Sequence, residues 1–283
     1  MVYFIYTAIL SLILALRWPV PLVTVLLNLT ILTGYALLIY ADSFRHGEFL
    51  GVIRDWFPFP LILLAYREMG WFAQPHHSFK LEMQWIVWDR AVLNVWGLRS
   101  AIEALGPLLP ALLEISYSLV YTLAPFSLAM LFAYRRRDRV DLFLFIFALG
   151  VLLSYAQFPF WPSEPPRTVF PNTDLPSYDT IFRRFNRWLL GGYGIHTSVF
   201  PSAHVSGAFA AAFGMMRALP EKPWVGRFLL VMAVLIATAT VYGRYHYLAD
   251  ALAGLAVALA ALGISVIRSS AARSTAFRVK SIG

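Results

Sequence analysis

An all-α, polytopic transmembrane helix bundle of about 6-8 membrane helices, with interfacial helices beside them, is the fold class this sequence predicts. Three observations predict it. Of 283 residues, 59% are hydrophobic and only 13% are charged, and the mean hydropathy is +0.66. Apolar runs of bilayer-spanning length recur along the chain, continuous and rich in Leu, Ala, Val and Phe rather than alternating as barrel strands do. Short basic clusters separate those runs, where orientation signals belong.

The runs predict helices at 2–16, 20–41, 57–67, 108–133, 139–157, 203–219, 224–242 and 247–268. The first lacks a basic n-region and a small-residue cleavage site, so it is expected to be a retained helix rather than a signal peptide. The third is short for a span. Residues 80–106 mix charge with Trp85, Trp88 and Trp96 at helical spacing, which predicts an interfacial helix broken at Gly97. The connection from 158 to 200 opens with FPFWPSEPPRTVFP and continues into an amphipathic helix near 178–190; its aromatic content predicts an ordered lid. The sequence divides into N-terminal helices at 1–107, a core at 108–268 and a tail at 269–283.

Basic residues group at Arg135, Arg136, Arg137 and Arg139, at Arg217, Lys222 and Arg227, and at Arg268, Arg273, Arg278 and Lys280. The positive-inside rule makes all three groups cytoplasmic, together with the C-terminus, and places the 158–200 connection and the turn near 242–247 outside. The net charge of +8 is scattered next to apolar runs, so membrane lipid rather than nucleic acid is the expected partner. There is no cysteine, which excludes disulfide and thiol chemistry. Nothing in the sequence specifies an oligomeric state.

Two motifs carry the chemistry. PSAH at 201–204 is followed 42 residues later by His246 and Asp250 in HYLAD, with two apolar runs between them that descend about 25 Å and return about 28 Å. His204 and His246 are therefore expected at matching depth. His246 and Asp250 are four apart, so on one helix face the carboxylate orients the imidazole and leaves its other nitrogen free to attack phosphorus. Pro201 suits a helix start, Ser202 suits a cap or a phosphate ligand, and His204 is placed to protonate a leaving oxygen. Single histidines near helix ends are ordinarily interfacial anchors, and His46, His76, His77 and His196 are read so. Asp250 differs, because an ionisable residue inside an apolar run is costly unless used.

PSAH, HYLAD and the upstream PSEPPR resemble the three signature motifs of the type-2 phosphatidic acid phosphatase and vanadium haloperoxidase superfamily: Lys-x6-Arg-Pro, Pro-Ser-Gly-His and Ser-Arg-x5-His-x3-Asp. The resemblance covers roughly residues 108–268 and implies a phosphatidic acid phosphatase-like catalytic core. It implies that His246 is the nucleophile forming a phosphohistidine, Asp250 its orienting partner, His204 the acid and base, and Ser202 and Arg167 phosphate ligands. Ala203 stands where the family has Gly, Phe160 where it has Lys, and Thr240 where it has the third-motif Arg. Arg244 is expected to replace the missing cation and Tyr242 to donate a further hydrogen bond, with Arg183, Arg184 and Arg187 as weaker candidates.

This pattern is also similar to inositol phosphorylceramide synthases and their bacterial relatives, with WDRAVLNVWG and YSLVYTLAP ahead of the core. The resemblance implies an integral protein of the bacterial inner membrane acting on phospholipid or lipid phosphate at the periplasmic face. Head-group transfer is the alternative to hydrolysis. No cofactor and no metal are expected, since the phosphohistidine route uses both histidines and the aspartate. Two remoter readings stand beside it: an intramembrane serine hydrolase using Ser202 with His246 and Asp250, and a non-catalytic channel or transporter.

Overall fold

A computed structural model describes residues 1–14, 23–45, 48–72, 78–195 and 199–280. Fourteen α-helices are described: α1 (Val2–Leu14), α2 (Val23–Arg45), α3 (Glu48–Trp56), α4 (Pro58–Met69), α5 (Lys80–Arg90), α6 (Leu98–Glu103) and α7 (Leu108–Ser118), then α8 (Val120–Ala133), α9 (Val140–Gln157), α10 (Pro166–Val169), α11 (Ile181–Tyr193), α12 (Ala203–Ala218), α13 (Pro223–Tyr242) and α14 (Leu248–Lys280). No strand occurs among the described residues. Five helical segments are long and apolar enough to cross a bilayer, and six if the bent pair α7–α8 counts as one. The protein is an all-α polytopic membrane bundle.

Several expectations shift in detail. The run predicted as 57–67 is the second half of a longer apolar stretch, Glu48–Met69, that does reach spanning length once α3 is joined to α4. The single helix predicted over 108–133 is two helices meeting at a 63° bend, with Leu119 at the joint and Pro125 one turn into α8. The interfacial segment is interrupted as expected: a π-turn at Ala91–Val95 leads to Gly97, whose φ of +76° starts α6. α14 continues past the predicted end at 268 to Lys280.

α12 is the hub, packed against α9, α13 and α14. Its sequence AHVSGAFAAAFGMMRA turns small side chains in every direction, so neighbouring backbones come close without a large apolar driving force between helices. The closest approach is at Gly254 of α14, where a Cβ would lie 2.5 Å from the Ser202 carbonyl oxygen. The same junction carries a hydrogen bond from the Ser202 N–H to the Asp250 carbonyl, 3.0 Å. Gly254 thus lets the start of the HYLAD helix lie directly on the start of the PSAH helix. Gly254→Val is expected to destabilise the fold by about 1–3 kcal/mol through overpacking, read as a lowered melting temperature in detergent.

The basic clusters gather at one end. Arg136 pairs with Glu221, joining the α8–α9 turn to the α12–α13 turn, and Arg217 donates to Ser265 Oγ of α14. The ends of α12 and α13 that carry PSAH and the HYLAD turn lie at the opposite end of the bundle. There α11 has an inverted pattern: Arg183 and Asn186 are buried, while Ile181, Phe185 and Trp188 are exposed. Such a helix suits the membrane interface, with aromatic residues turned to lipid.

Candidate active site

The turn that carries His246 forms because α13 ends at Gly243 and the next residues wrap back onto it. The N–H groups of Tyr245 and His246 both donate to the Thr240 carbonyl, at 2.9 and 3.0 Å. Arg244 takes φ +67° to make this turn, an uncommon conformation for a non-glycine residue. Leu248 then starts α14, and its N–H is capped from another helix by Asp89 Oδ1 of α5 at 2.8 Å. Asp250 caps the same helix from within, accepting the Tyr247 N–H at 2.9 Å.

The predicted pairing is present. His246 Nδ1 lies 3.3 Å from Asp250 Oδ2, and Asp250 is fully buried. The His204 and His246 rings are 5.6 Å apart between centroids, so the two motifs converge as their matching depth requires. His204 is held by aromatic neighbours: Tyr117 stacks on it at 5.1 Å and the Tyr121 hydroxyl is 3.3 Å from its Nε2. Tyr117 also stacks on Tyr245 at 4.2 Å, tying His204 to the turn that carries His246.

Both histidines and Arg167 line a cavity of about 180 Å³. Arg167 comes from the PSEPPR segment and is pinned twice to the turn: its N–H donates to the Arg244 carbonyl, and Nη1 donates to the Tyr245 carbonyl at 3.1 Å. The other three candidates do not line this cavity. Ser202 is fully buried, and its hydroxyl caps α12 by accepting the Val205 N–H. Tyr242 donates to Glu103 Oε1 at 2.9 Å. The Arg244 side chain is buried behind the turn, with Nη1 4.0 Å from Asp89 Oδ2.

Among the weaker candidates, Arg183 is engaged in a buried ion pair with Glu114 and donates to the Gly243 carbonyl, so it fastens α11 to the turn that carries His246. Arg187 pairs with Asp179, and Arg184 is exposed. His46, His76, His77 and His196 lie outside the described residues.

Glu114, Tyr117, Tyr121 and Asp89 are site-supporting residues that the motifs did not reveal. Glu114 accepts from Arg183, Asn186 and the Tyr245 hydroxyl, the last at 2.6 Å. A signal for it exists, because it is a carboxylate inside the apolar run 108–133, the feature that singled out Asp250. Asp89 stands in WDRAVLNVWG, and Tyr117 and Tyr121 in YSLVYTLAP, stretches that carry part of the resemblance but assign no residue a role.

Burial, with the Arg167 charge adding to it, holds the His246 imidazole down to about 3, against an opposing hydrogen bond to the Val199 backbone. His246 is therefore neutral, with a lone pair available, throughout the physiological range. The folded value lies below the unfolded 6.5, so its contribution is complete above pH 6.5 and is lost as pH falls towards 3. At pH 5 this amounts to about 2 kcal/mol. On acidification from pH 7 to 5, the melting temperature of the wild type should fall more than that of His246→Asn.

A family model described as the PAP2 superfamily matches residues 84–264, well over half of the chain. The chain belongs to this superfamily. The matched region contains every element of the site, from Asp89 on α5 to Asp250 on α14. A PA-phosphatase related-family protein of Dictyostelium discoideum is 42% identical over 60 residues, covering 21% of this chain and 10% of that protein. No solved structure matches the chain. PAP2 membership supports a phosphatase-like function on lipid phosphate, carried by an integral membrane protein.

Proposed function

We propose that this PAP2 protein is a metal-independent lipid phosphatase or phosphotransferase that works through a phosphohistidine on His246. The observation that carries the reading is that His246, His204 and Arg167 line one cavity while Asp250, buried behind His246, lies 3.3 Å from its Nδ1. The Nδ1 proton is held by Asp250, so the Nε2 lone pair attacks phosphorus. As the N–P bond forms, the bond from phosphorus to the lipid oxygen breaks, and that oxygen takes a proton from His204, which enters the step as the imidazolium, having taken up a proton together with the anionic phosphate. His204 then removes a proton from the incoming hydroxyl, which attacks phosphorus and releases His246. Arg167, fixed by two backbone carbonyl contacts, neutralises charge on the phosphoryl oxygens without having to reorganise.

Arg244 is assigned a supporting part. Its guanidinium faces Asp89 from behind the turn, where its charge adds positive potential to the site. The bundle end that carries the histidines is assigned to the extracytoplasmic side and the arginine-rich end to the cytoplasm, on the positive-inside rule.

Water as the second acceptor gives hydrolysis. A second reading is transfer to a lipid or polyol hydroxyl, as in inositol phosphorylceramide synthases, and enclosure favours it: His246 is only 6% exposed and its cavity is walled by apolar and aromatic groups. Purified protein in mixed micelles, given lipid phosphates with and without an alcohol acceptor, separates the two by whether inorganic phosphate or a new phosphodiester accumulates. Orthovanadate should inhibit either reaction and a chelator should leave the rate unchanged. Loss of activity with chelator, restored by a divalent cation, would contradict the metal-free steps.

A further inference from the structure

We infer that α4, which lies before the family-matched residues, forms with α9 the subsite for a single hydrocarbon chain of the substrate and sets the chain length accepted. The inference rests on the reading of the chain as an enzyme of lipid phosphates and goes beyond it by naming the element that selects among them. Phe59, Ile62, Leu63 and Tyr66 line the same cavity as His204, His246 and Arg167. Their spacing places them on one face of α4. The facing wall is Phe147, Val151 and Tyr155 of α9, again one helical face.

Depth follows from the pairings along these two helices. Tyr66 and Tyr155 meet at 5.8 Å between ring centroids, while Phe59 and Phe147 meet edge-to-face at 6.3 Å. Seven residues of α4 and eight of α9 separate the two contacts, roughly 10–12 Å of helix. The upper pair neighbours the end of the bundle that carries the histidines, because Tyr66 accepts the N–H of Ile195 just beyond α11, and Tyr193 at the end of α11 donates to the Leu63 carbonyl. Phe59 and Phe147 are the lining residues of these two helices farthest from that end. A volume of about 180 Å³ is little more than the ~150 Å³ known to admit a benzene-sized apolar ligand, a size that suits one chain segment. The walls are apolar, and α4 belongs to a stretch of spanning length, so the occupant is drawn from the bilayer itself.

Phe59 and Phe147 are therefore specificity-determining residues, acting as a stop under the chain end. The test is kcat/KM for a series of saturated lipid phosphates of increasing chain length in mixed micelles, for wild type, Phe59→Ala, Phe147→Ala and Phe59→Trp. Opening the floor should raise the long-to-short ratio of kcat/KM by about tenfold, the worth of one or two further buried methylenes. Phe59→Trp should lower it. The variants lie on different helices, so failure of one to fold leaves the others to decide. An unmoved ratio in variants that still turn over overturns the chain subsite and leaves the catalytic reading standing. If that unmoved ratio came with loss of a co-purifying membrane lipid, the cavity would be the seat of a resident lipid instead. A wild type that turns over no member of the series overturns both.

Discussion

His246→Ala is expected to lower turnover of a lipid phosphate by on the order of 10⁴- to 10⁶-fold, because on the proposed route it removes the atom that receives phosphorus. The fold should survive. The N–H of residue 246 donates to the Thr240 carbonyl whatever the side chain, and the turn is independently held by Arg183 on the Gly243 carbonyl and by Arg167 on the Tyr245 carbonyl. Activity should therefore fall while the melting temperature in detergent stays near that of the wild type. Residual activity close to the wild-type rate would mean that phosphate does not pass through this imidazole.

Asp250→Asn is expected to cost on the order of 10²- to 10⁴-fold in kcat with little change in KM. One carboxylate oxygen, Oδ2, serves both His246 Nδ1 and the Tyr247 N–H, while Oδ1 is buried without a hydrogen-bond partner among the described residues. An asparagine with its oxygen at the Oδ2 position keeps both contacts but loses the negative charge that stabilises a cationic imidazole, and it buries an unsatisfied NH2. The flipped amide presents a donor to Nδ1 and forces the wrong tautomer. Either orientation penalises the phosphorylated state more than substrate binding. A drop confined to KM would show that Asp250 acts on binding instead.

Much of this was legible because the decisive signals are local in sequence. His-x3-Asp at a helix start places both groups on one face, and the two apolar runs between PSAH and HYLAD have similar reach, so convergence of His204 and His246 follows from helix rise. Long continuous apolar runs likewise located α2, α9, α13 and α14.

What escaped depends on turns and on tertiary direction. The 63° bend at Leu119 falls where there is neither Gly nor Pro, so 108–133 reads as one helix. α3 carries Glu48, Arg54 and Asp55, and its charges hide a helix whose buried Asp55 is matched by Arg54 and by Arg137 from the α8–α9 turn. Ser202, Tyr242 and Arg244 are in the right stretch of chain but do not line the cavity: the Ser202 hydroxyl caps its own helix, Tyr242 turns to Glu103 on α6, and Arg244, at φ +67°, turns to Asp89 on α5. The aromatic brace of Tyr117 and Tyr121 around His204 spans the α7–α8 joint, so no single helical periodicity displays it.

The most direct measurement of the central claim is chemical trapping of the intermediate. Wild-type protein and His246→Ala are mixed with a lipid phosphate radiolabelled at phosphorus, quenched in alkaline denaturant within milliseconds and resolved for protein-bound label. An acid-labile adduct on the wild type and none on His246→Ala is the predicted result. Label of undiminished amount on His246→Ala would contradict the account, because phosphate would then be carried by another residue.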